Sequence, residues 1–586
     1  MTTRASRRLC PGLLLPGWLL LASMALAQEP VQPEATITRS SIKSGTATGG
    51  MVVAAHPLAA QAGQAVLAEG GNAIDSLVAV QMMLALVEPQ SSGLGGGAFL
   101  LYFDAAQGRL YSFDGRETAP AAADEGYFLD DFGQPRAWWS VVPGGLSVGV
   151  PGLVKLLDDV HGRFGQRPWP DLLAPAIAAA EDGFAVTPRL AGAVADAQQR
   201  GLAAFPAAKG YFFGEDNQPP APGDVLRNPE LAHTLRALAQ ERSTPFYQGD
   251  LATAIVETVQ HAPVNAGVMT LEDLAAYLVV VRAPVCLDYR GFEVCGMGPP
   301  SSGGLTVAYI LGLLRGFPLA ELGPGVDSAH LFIEASKLAY ADRGQYMADS
   351  DFVAVPVDGL LDSAYLQSRA SLIDPARASG EASAGKPPHD EGLRLAPHQG
   401  NERPGTTHIS IIDAMGNAVS MTSSIETGFG SRLMVGGFLL NNQLTDFSFV
   451  PERDGVPVAN RVEAGKRPRS SMSPTIVLQD GRPVILTGSP GGSRIIAYTA
   501  RSLIGLIDHG MSPGEAAARP HVVNRNGATD IEDVAQAKDL ADALVDLGHE
   551  VGLRDLNSGL HIIAIDGEVL HGGADPRREG VVLGHD

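Results

Sequence analysis

The sequence predicts a large α+β protein in which helices and strands pack in layers. Its 586 residues are 45% hydrophobic, which is enough to form a sizeable core. Ala-rich helical patterns cover residues 59–69 and 73–86, whereas residues 406–413 alternate polar and apolar side chains as a half-buried strand does. The length fits either two to four ordinary domains or one layered domain with insertions. Periodicity alone does not decide between these architectures.

The charge of the chain narrows the classes of partner. A formal net charge of -22 argues against a nucleic-acid partner and against binding to an anionic membrane surface. The sequence contains no metal-ligand spacing such as H-E-x-x-H, so we expect neither a metal nor another cofactor. An acidic substrate would therefore have to be attracted by local cations.

Residues 1–27 have the pattern of a secretory leader. Three arginines near the start precede an apolar run at 13–21, and Ala25-Leu26-Ala27 supplies a small-x-small cleavage site. A Pro-Gly pair interrupts the apolar run, which is too short to span a bilayer comfortably, so we expect no stable membrane anchor. The leader predicts a periplasmic or secreted protein.

Two cysteines remain once Cys10 leaves with the leader. Cys286 and Cys295 flank a segment with Arg290-Gly291 at its centre. A two-residue turn there would make the cysteines a non-hydrogen-bonded cross-strand pair, close enough for a disulfide. Export permits oxidation, but both the disulfide and the free thiols remain open, and neither has a catalytic part.

Up to residue 375 the chain is mostly helical. Residues 91–98 match the G-x-G-x-x-G/A dinucleotide pattern, but a helix precedes them and the strand 99–103 follows, which reverses the order that the motif requires. We therefore reject a dinucleotide site. A second predicted strand covers 110–113, and further helical patterns cover 152–161, 172–181, 190–199, 229–241, 251–260, 329–343 and a segment that begins near 305.

One short motif supports a rival function. The run from Gly145 to Gly149 matches the G-x-S-x-G elbow of serine hydrolases, follows an apolar stretch at 138–142 and precedes a helix that begins near Pro151. So short a pattern often matches by chance, and the histidines give no convincing triad order. A serine hydrolase that uses Ser147 remains an alternative.

A polar linker at 375–405 ends at the bond between Gly405 and Thr406. It is rich in Pro, Gly, Ala and charge and has too little apolar surface to fold on its own. This bond lies immediately before the strand that begins at Thr406, and the arrangement is suited to self-cleavage. The Thr406 hydroxyl would attack the Gly405 carbonyl, and the released α-amine would then serve as the base for that hydroxyl. A Thr-rich edge strand after a disordered loop is the plainer alternative.

The residues after Thr406 add a family resemblance. The run from Gly416 to Glu426, followed by Phe429-Gly430, resembles the signature of the γ-glutamyltransferases, which are self-cleaving N-terminal-nucleophile hydrolases. The similarity extends over nearly the whole chain beyond the leader. It implies a four-layer αββα sandwich formed jointly by a large chain, residues 28–405, and a small chain, residues 406–586, which stay together as a heterodimer. It also implies cleavage of γ-glutamyl amides such as glutathione.

The resemblance assigns roles to individual residues, and each role suits the chemistry. A guanidinium fork and hydroxyls suit a carboxylate, two converging carboxylates suit an ammonium, and backbone N–H groups at a helix start suit an oxyanion. Ser424 stands where the family more usually has Thr, whose hydroxyl supports the nucleophile. The apolar run at 438–447 predicts a strand that ends in amides and a carboxylate. The expected ligands are Arg116, Ser470 and Ser471 for the substrate α-carboxylate, Glu426, Gln443 and Asp446 for its α-ammonium, and Gly491 and Gly492 for the oxyanion.

Two questions about the substrate remain open. Cephalosporin acylases share the expected architecture and accept a glutaryl group, which lacks the α-ammonium. A non-catalytic periplasmic binding protein is a third class. The connection at 447–469 looks short, holds no Tyr or Trp, and has Phe449 too near a strand end to replace a lid aromatic. We therefore expect a pocket that stays open to water, so that hydrolysis rivals transfer.

Overall fold

The computed structural model describes residues 1–2, 34–37, 39–389, 392, 394–398, 400 and 402–586. The expected leader, apart from its first two residues, lies outside these ranges, as does Cys10. Among the described residues, none of the helices has the length and apolar character needed to cross a membrane. The described residues from 34 to 586 form one compact unit.

The chain ahead of Thr406 is mainly helical. Its strands are β1 (Lys43–Ala47), β2 (Gly50–Ala54), β3 (Gly97–Asp104), β4 (Arg109–Gly115), β5 (Phe184–Ala185), β6 (Val225–Leu226), β7 (Val280–Arg282), β8 (Val285–Tyr289) and β9 (Phe292–Gly296). Its helices are α1 (Pro57–Ala68), α2 (Ala73–Val87), α3 (Trp138–Val141), α4 (Leu153–Phe164), α5 (Trp169–Asp182), α6 (Pro188–Gln199), α7 (Pro206–Phe212), α8 (Pro229–Glu241), α9 (Thr244–Gln248), α10 (Asp250–Gln260), α11 (Leu271–Ala275), α12 (Gly303–Leu314), α13 (Leu319–Leu322), α14 (Val326–Tyr346), α15 (Val357–Leu360) and α16 (Ser363–Ala370).

The chain from Thr406 onward is mainly strands. These are β10 (Thr406–Ile412), β11 (Ala418–Ser424), β12 (Met434–Val435), β13 (Phe438–Leu439), β14 (Glu452–Arg453), β15 (Val456–Pro457), β16 (Thr475–Gln479), β17 (Arg482–Thr487), β18 (Val522–Asn524), β19 (Thr529–Glu532), β20 (Val551–Arg554), β21 (His561–Asp566), β22 (Val569–Ala574) and β23 (Val581–His585). Its helices are α17 (Ile495–Ile507), α18 (Pro513–Ala518) and α19 (Lys538–Asp546).

Two large antiparallel sheets draw strands from both parts of the chain. One has the order β1-β22-β21-β17-β16-β9-β8, and the other β23-β2-β10-β11-β3-β4-β7. In the second sheet, β10 lies between β2 and β11, and β3 pairs with the far side of β11. The two parts of the chain are therefore interleaved within each sheet.

The sheets stack face to face with helices on both outer sides. Alternate side chains of one strand face different layers: Val53 belongs to the core between the sheets together with Leu486, whereas Val52 belongs to the helical core that includes Leu77. On the other side, α12, α14 and α17 cover the first sheet and form a second helical core. The prediction of a four-layer αββα sandwich is confirmed.

One strand is much shorter than the sequence predicts. The apolar run at 438–447 forms a strand only over Phe438–Leu439 and then a 3-10 turn at Gln443–Asp446. The amide of Asn441 accepts a hydrogen bond from the Gly149 N–H at 3.0 Å and donates one to the Gly95 carbonyl at 2.7 Å. After Leu439 the backbone is thus held by these side-chain bonds and by one Asn441 N–H bond to the Gly95 carbonyl at 3.1 Å, without a continuing strand.

The hairpin of β8 and β9 has the register expected from the sequence. Arg290 and Gly291 both have positive φ angles, 58° and 82°, as a two-residue type I′ turn requires. Cys286 lies directly opposite Cys295. The structure joins the two cysteines in a disulfide.

Candidate active site

Thr406 is the first residue of β10 and is fixed in a sheet interior. It pairs in register with Ser424 on β11 and is only 3% exposed. A guanidinium N–H of Arg578 donates to the Thr406 carbonyl at 3.2 Å. The backbone of Thr406 is therefore held in place while the peptide bond to Gly405 is intact.

Ser424 connects the Thr406 hydroxyl to the Gly405 carbonyl. Its Oγ lies 3.2 Å from Thr406 Oγ1, donates to the Gly405 oxygen at 3.0 Å and accepts the Glu426 N–H at 2.9 Å. A hydroxyl has a single proton, and Ser424 gives its proton to Gly405, so Thr406 must be the donor in the pair of hydroxyls. A continuous chain of hydrogen bonds thus runs from the nucleophile candidate to the carbonyl that it would attack.

Gly405 is in a position where no side chain fits. A Cβ added there would lie 2.0 Å from the Glu426 carbonyl oxygen and 2.6 Å from the carbonyl carbon of Thr427. Both obstacles are backbone atoms, so a larger residue would displace the chain at the bond in question. The structure therefore explains why glycine precedes Thr406.

A small cleft lies beside Thr406. Its enclosed volume is about 20 Å³, which admits little more than a single water molecule in the uncut chain. Of the residues predicted for the site, Arg116, Gly405 and Gly491 do not line the cleft. Those that do are Thr406, Ser424, Glu426, Gln443, Asp446, Ser470, Ser471 and Gly492.

Two buried carboxylates meet at this cleft. Burial, and next the charge of Asp446, raise the pKa of Glu426 well above its usual value. Burial also raises the pKa of Asp446, although Arg116 opposes that shift. Within the described residues, no N–H or O–H group of a third residue donates to Oε2 of Glu426 or Oδ1 of Asp446, and the two carboxyl groups share a hydrogen bond when Glu426 is protonated. The pair has the capacity to bind a cation that would neutralise it.

The backbone and a neighbouring amide hold these carboxylates in place. Glu426 has a φ angle of 79°, which is unusual for a residue with a side chain and is common at functional sites. Gln443 donates from its amide to Asp446 at 3.3 Å, and its own Oε1 lacks a partner among the described residues. Acceptor atoms at this end of the cleft therefore outnumber donors.

Arg116 lies behind the cleft and does not line it. Its Nη2 binds Asp446 Oδ2 at 2.5 Å, and its Nε donates to the Pro468 carbonyl at 3.1 Å. Glu117 lies 3.6 Å from its Nη1, and burial raises the pKa of Glu117 to about 8. In this uncut chain Arg116 therefore positions Asp446, the residue expected to bind the ammonium.

Ser470, Ser471 and the glycine pair surround the remaining sides. The Ser471 hydroxyl accepts from Arg343 at 2.8 Å, and the Ser470 hydroxyl accepts the Met472 N–H at 3.1 Å. Gly491 and Gly492 have φ angles of 137° and 59° and introduce the 3-10 turn that leads into α17. Only glycine adopts these angles readily, so the loop keeps its backbone close to the cleft.

The end of the linker occupies part of the same cleft. The described residues of 375–405 contain no helix or strand, yet Glu402 is only 3% exposed and lines the cleft together with Arg403. The Glu402 carbonyl accepts the Ser493 N–H at 3.3 Å, and the Arg403 N–H donates to Glu426 Oε1 at 2.9 Å. The guanidinium of Arg403 lies 4.5 Å from the ring centre of Trp138.

Sequence reasoning gave no role in this site to five charged residues. Glu402 and Arg403 line the cleft, Arg343 and Arg469 bind the Glu402 carboxylate, and Arg578 binds the Thr406 carbonyl. The runs that contain Arg343 and Arg578 resemble the family sequence but indicate no role by themselves. Glu402 is the last acidic residue before the Gly-Thr bond, which was the available signal.

The serine elbow does not form. Residues 138–141 are a helix instead of the strand that the motif needs, and Ser147 lies in a 3-10 turn. Its side chain is fully buried and donates to the Val142 carbonyl at 2.7 Å. A backbone carbonyl cannot activate a hydroxyl as a base would, so the structure argues against Ser147 as a nucleophile.

The connection at 447–469 contributes no residue to the cleft lining. The ring of Phe449 stacks on Phe128 with centroids 4.2 Å apart and is nearly buried. The β14–β15 hairpin instead contacts the linker, because the Ala396 N–H donates to the Pro457 carbonyl at 2.8 Å. Phe449 is thus a core residue in this state.

The sequence as a whole identifies the family. Residues 59–585 match the profile of the γ-glutamyltranspeptidase family. This chain belongs to that family. It is 38% identical over 587 residues to a glutathione hydrolase proenzyme of Escherichia coli strain K12, and the match covers 97% of each chain.

Solved structures similar to this γ-glutamyltranspeptidase family member include both acylases and transpeptidases. A cephalosporin acylase from Bacillus halodurans superimposes with a TM-score of 0.82 at 30% identity and covers 93% of this chain and 98% of its own. A γ-glutamyltranspeptidase chain from Helicobacter pylori is 37% identical with a TM-score of 0.55, covering 58% of this chain and 96% of its own. The fold is therefore shared by a protein named as an acylase and a protein named as a transpeptidase.

Proposed function

We propose that this protein is a self-cleaving γ-glutamyl hydrolase and transferase with Thr406 as its nucleophile. The observation that carries this proposal is the chain of hydrogen bonds from the Thr406 hydroxyl through Ser424 to the Gly405 carbonyl. It adjoins a cleft lined by two buried carboxylates, Glu426 and Asp446. Nucleophile, scissile carbonyl and cation site thus meet in one place.

Self-cleavage follows from these contacts. Thr406 Oγ1 attacks the Gly405 carbonyl carbon, its proton passes to Ser424, and Ser424 passes its own proton to the Gly405 oxygen, which becomes a hydroxyl. Collapse of the intermediate re-forms the carbonyl and breaks the Gly405–Thr406 C–N bond, and the proton of that hydroxyl passes to the Thr406 nitrogen, which leaves as a free amine. Water then hydrolyses the ester between Gly405 and Thr406 Oγ1, which gives a Gly405 carboxylate and restores the Thr406 hydroxyl.

Turnover uses the same hydroxyl with the new amine as its base. Thr406 Oγ1 attacks the γ-carbonyl of the donor, the amine takes its proton and then gives it to the leaving amine, and a γ-glutamyl ester forms. Gly491 and Gly492 would stabilise the oxyanion with backbone N–H groups. Water or an acceptor amine then resolves the ester.

Different residues would bind the two charges of the glutamyl group. Glu426, Asp446 and Gln443 would surround the α-ammonium, and Ser470, Ser471 and Arg116 would lie towards the α-carboxylate. An ammonium would relieve the two raised pKa values, because it stabilises the ionised form of each carboxyl. Glutathione is a representative donor with both charges.

The cut chain would remain a single assembly. Residues 28–405 and 406–586 contribute neighbouring strands to both sheets, so a heterodimer would keep every inter-strand hydrogen bond after cleavage. The leader would direct export to the periplasm or the medium and would be removed after Ala27.

The decisive experiment is a denaturing gel of purified protein with N-terminal sequencing of the smaller fragment. Thr-Thr-His-Ile-Ser is the expected start. Thr406→Ala should give one uncut, inactive chain, while Thr406→Ser, which keeps a hydroxyl, should still be cut. Activity in Thr406→Ala together with its loss in Ser147→Ala would instead favour a serine hydrolase. If the wild type shows no cleavage and no turnover, that result would favour a binding protein.

A glutaryl acylase is the second candidate, because the superposition with the cephalosporin acylase covers 93% of this chain. Glu426 and Asp446 argue against it, since a glutaryl group would leave both carboxylates without a cation at a cost of several kcal/mol. Measurements of kcat/KM for γ-glutamyl and glutaryl 4-nitroanilides under the same conditions distinguish a γ-glutamyl enzyme from a glutaryl acylase. A strong preference for glutaryl would refute the γ-glutamyl assignment.

A further inference from the structure

Glu34 lies shortly after the expected leader and binds two arginines. Nη2 of Arg578 donates to Glu34 Oε2 at 2.6 Å, and Nε of Arg189 donates to Glu34 Oε1 at 2.8 Å. Burial alone would raise the pKa of Glu34, but the charges of Arg189 and Arg578 outweigh it and lower that pKa. Glu34 is therefore an anion that bridges two guanidinium groups.

Arg578 connects Glu34 to the nucleophile candidate. Its Nη1 donates to the Thr406 carbonyl at 3.2 Å, and its Nε donates to Asn557 Oδ1 at 2.8 Å. The Arg578 side chain is fully buried. A planar guanidinium whose three nitrogens are all bonded has one orientation, so Glu34 and the Thr406 carbonyl are held at a fixed separation.

The strand ladder on the β2 side begins beyond this end of β10. Pairing between β2 and β10 starts only at Ile409, whereas Thr406 pairs with Ser424 on the β11 side. After the proposed cut, Thr406 would also lose its peptide bond to Gly405, and its carbonyl carbon would be its only link to the rest of the chain. The bond from Arg578 to that carbonyl would then help to set where the amine and the hydroxyl point.

A second connection leads from Glu34 to the next residue of the strand. Arg189 also binds the Glu88 carboxylate, and Glu88 Oε2 accepts from Thr407 Oγ1 at 3.1 Å. The side chains of Arg189 and Glu88 are at most 5% exposed. Glu34 is thus connected to the backbone at the start of β10 and to the side chain of Thr407.

Glu34 is also the counter-ion that allows the two arginines to lie near each other. Burial, and next the charge of Arg189, lower the pKa of Arg578, so the two guanidinium groups repel each other. Glu34 lies between them. Glu88 is a second carboxylate that attracts Arg578. Without Glu34, this attraction would turn the guanidinium away from the Thr406 carbonyl.

We propose that Glu34 is a positioning residue that orients Thr406 through Arg578, so that the first segment after the leader completes the active site. This inference rests on the proposed function. Glu34 does not line the cleft. It therefore acts on the rates of self-cleavage and acyl transfer, and the binding of the donor does not depend on it.

The test is a double-variant cycle in the full chain. Glu34→Ala should slow self-cleavage about 10- to 100-fold and lower kcat of the cleaved protein on γ-glutamyl 4-nitroanilide by a similar factor, because small displacements of reacting atoms have effects of this size. KM should change by less than about twofold. Glu34→Ala combined with Arg578→Met should be no slower than Arg578→Met alone, since Glu34 acts through that arginine.

Thr36→Ala is the matched control. It removes the hydrogen bond from Thr36 Oγ1 to Asp555, which lies in the same segment as Glu34, and leaves both arginines bound. It should be cut at the wild-type rate and keep the wild-type kcat. The thermal midpoints of both variants measure the cost to the fold separately from the cost to the reaction.

Three results would overturn the proposal. Equal losses in Glu34→Ala and Thr36→Ala would show that Glu34 only attaches the segment, a raised KM at unchanged kcat would assign it to donor binding, and additive losses in the double variant would show that it does not act through Arg578. If Arg578→Met stays uncut, Arg578→Lys, which keeps the charge and loses the planar fork, takes its place in the cycle. Failure of the wild type to cut itself or to turn over the donor would instead refute the proposed function itself.

Discussion

Replacement of Ser424 by alanine should slow self-cleavage far more than it lowers stability. The hydroxyl of Ser424 donates to the Gly405 oxygen at 3.0 Å and accepts from Thr406 within the same chain of hydrogen bonds. Ser424→Ala therefore removes the donor to the developing oxyanion and the path for the Thr406 proton. The loss of one oxyanion donor typically costs about 2.7–4 kcal/mol, or about 10²–10³ in rate.

The cost to the fold is smaller. Ser424→Ala also leaves the Glu426 N–H, which donates to Oγ at 2.9 Å, without that partner. A buried unsatisfied donor costs about 1–3 kcal/mol, which a protein of this size tolerates. Ser424→Thr keeps the hydroxyl and should be cut at a rate within about tenfold of the wild type.

The assay is a time course of precursor and fragments on a denaturing gel after a pulse of synthesis. Ser423→Ala is the matched control, because the neighbouring hydroxyl is buried and has no hydrogen-bond partner among the described residues. It should be cut at the wild-type rate. Equal rates for Ser424→Ala and Ser423→Ala would show that Ser424 is a bystander and that the proton takes another route.

Three further predictions concern the bond, the cation site and the acyl-enzyme. Gly405→Ala should slow self-cleavage about 100-fold or more on the same gels, because its Cβ would lie 2.0 Å from a backbone oxygen and displace the scissile bond; rapid cleavage would contradict the geometry. Burial raises the pKa of Glu426 and Asp446, and only their ionised forms attract an ammonium, so KM for γ-glutamyl 4-nitroanilide should fall as pH rises; a KM that does not change with pH would exclude this role. Glutathione incubated with and without glycylglycine at mildly alkaline pH should release glutamate at a rate that rivals transfer, because residues 447–469 contribute no lid to the cleft; almost complete suppression by modest acceptor would refute the open-pocket argument.

Local periodicity was sufficient to predict the layers of the fold. The alternation after Thr406 became β10, and the Ala-rich run at 73–86 became α2, since both patterns are set by which side chains face a core. The prediction of a strand over 438–447 was wrong in its length, because apolar content was its only basis, while Asn441 forms its bonds with Gly95 and Gly149, far away in the sequence. A rule that uses only the local sequence pattern cannot identify such partners.

The position of a residue at the cleft was predictable where the family resemblance and the chemistry of the residue agree. Thr406, Glu426 and Gly492 are examples, because all three line the cleft, while their roles stay predictions. The contact between Glu402 and the cleft was not predictable. The composition of the linker indicates only that it has too little apolar surface to fold on its own. It does not identify Arg343 and Arg469, which bind Glu402 from other parts of the chain. The bond between Arg116 and Asp446 joins residues 330 positions apart, and only the assembled sheets bring them together.

Because β10 lies between β2 and β11, a cut at its first residue would change refolding from a process of one chain to a process of two chains. Before the cut, the strands meet within one chain, at an effective concentration that a tether raises to about the millimolar range. After the proposed cut, assembly would require two molecules to find each other, so recovery from denaturation would become bimolecular and would slow on dilution. The lifetime of the proposed heterodimer would then be governed by how fast it unfolds and no longer by the equilibrium between folded and unfolded chains. Dilute refolding should succeed for Thr406→Ala and fail for the wild type.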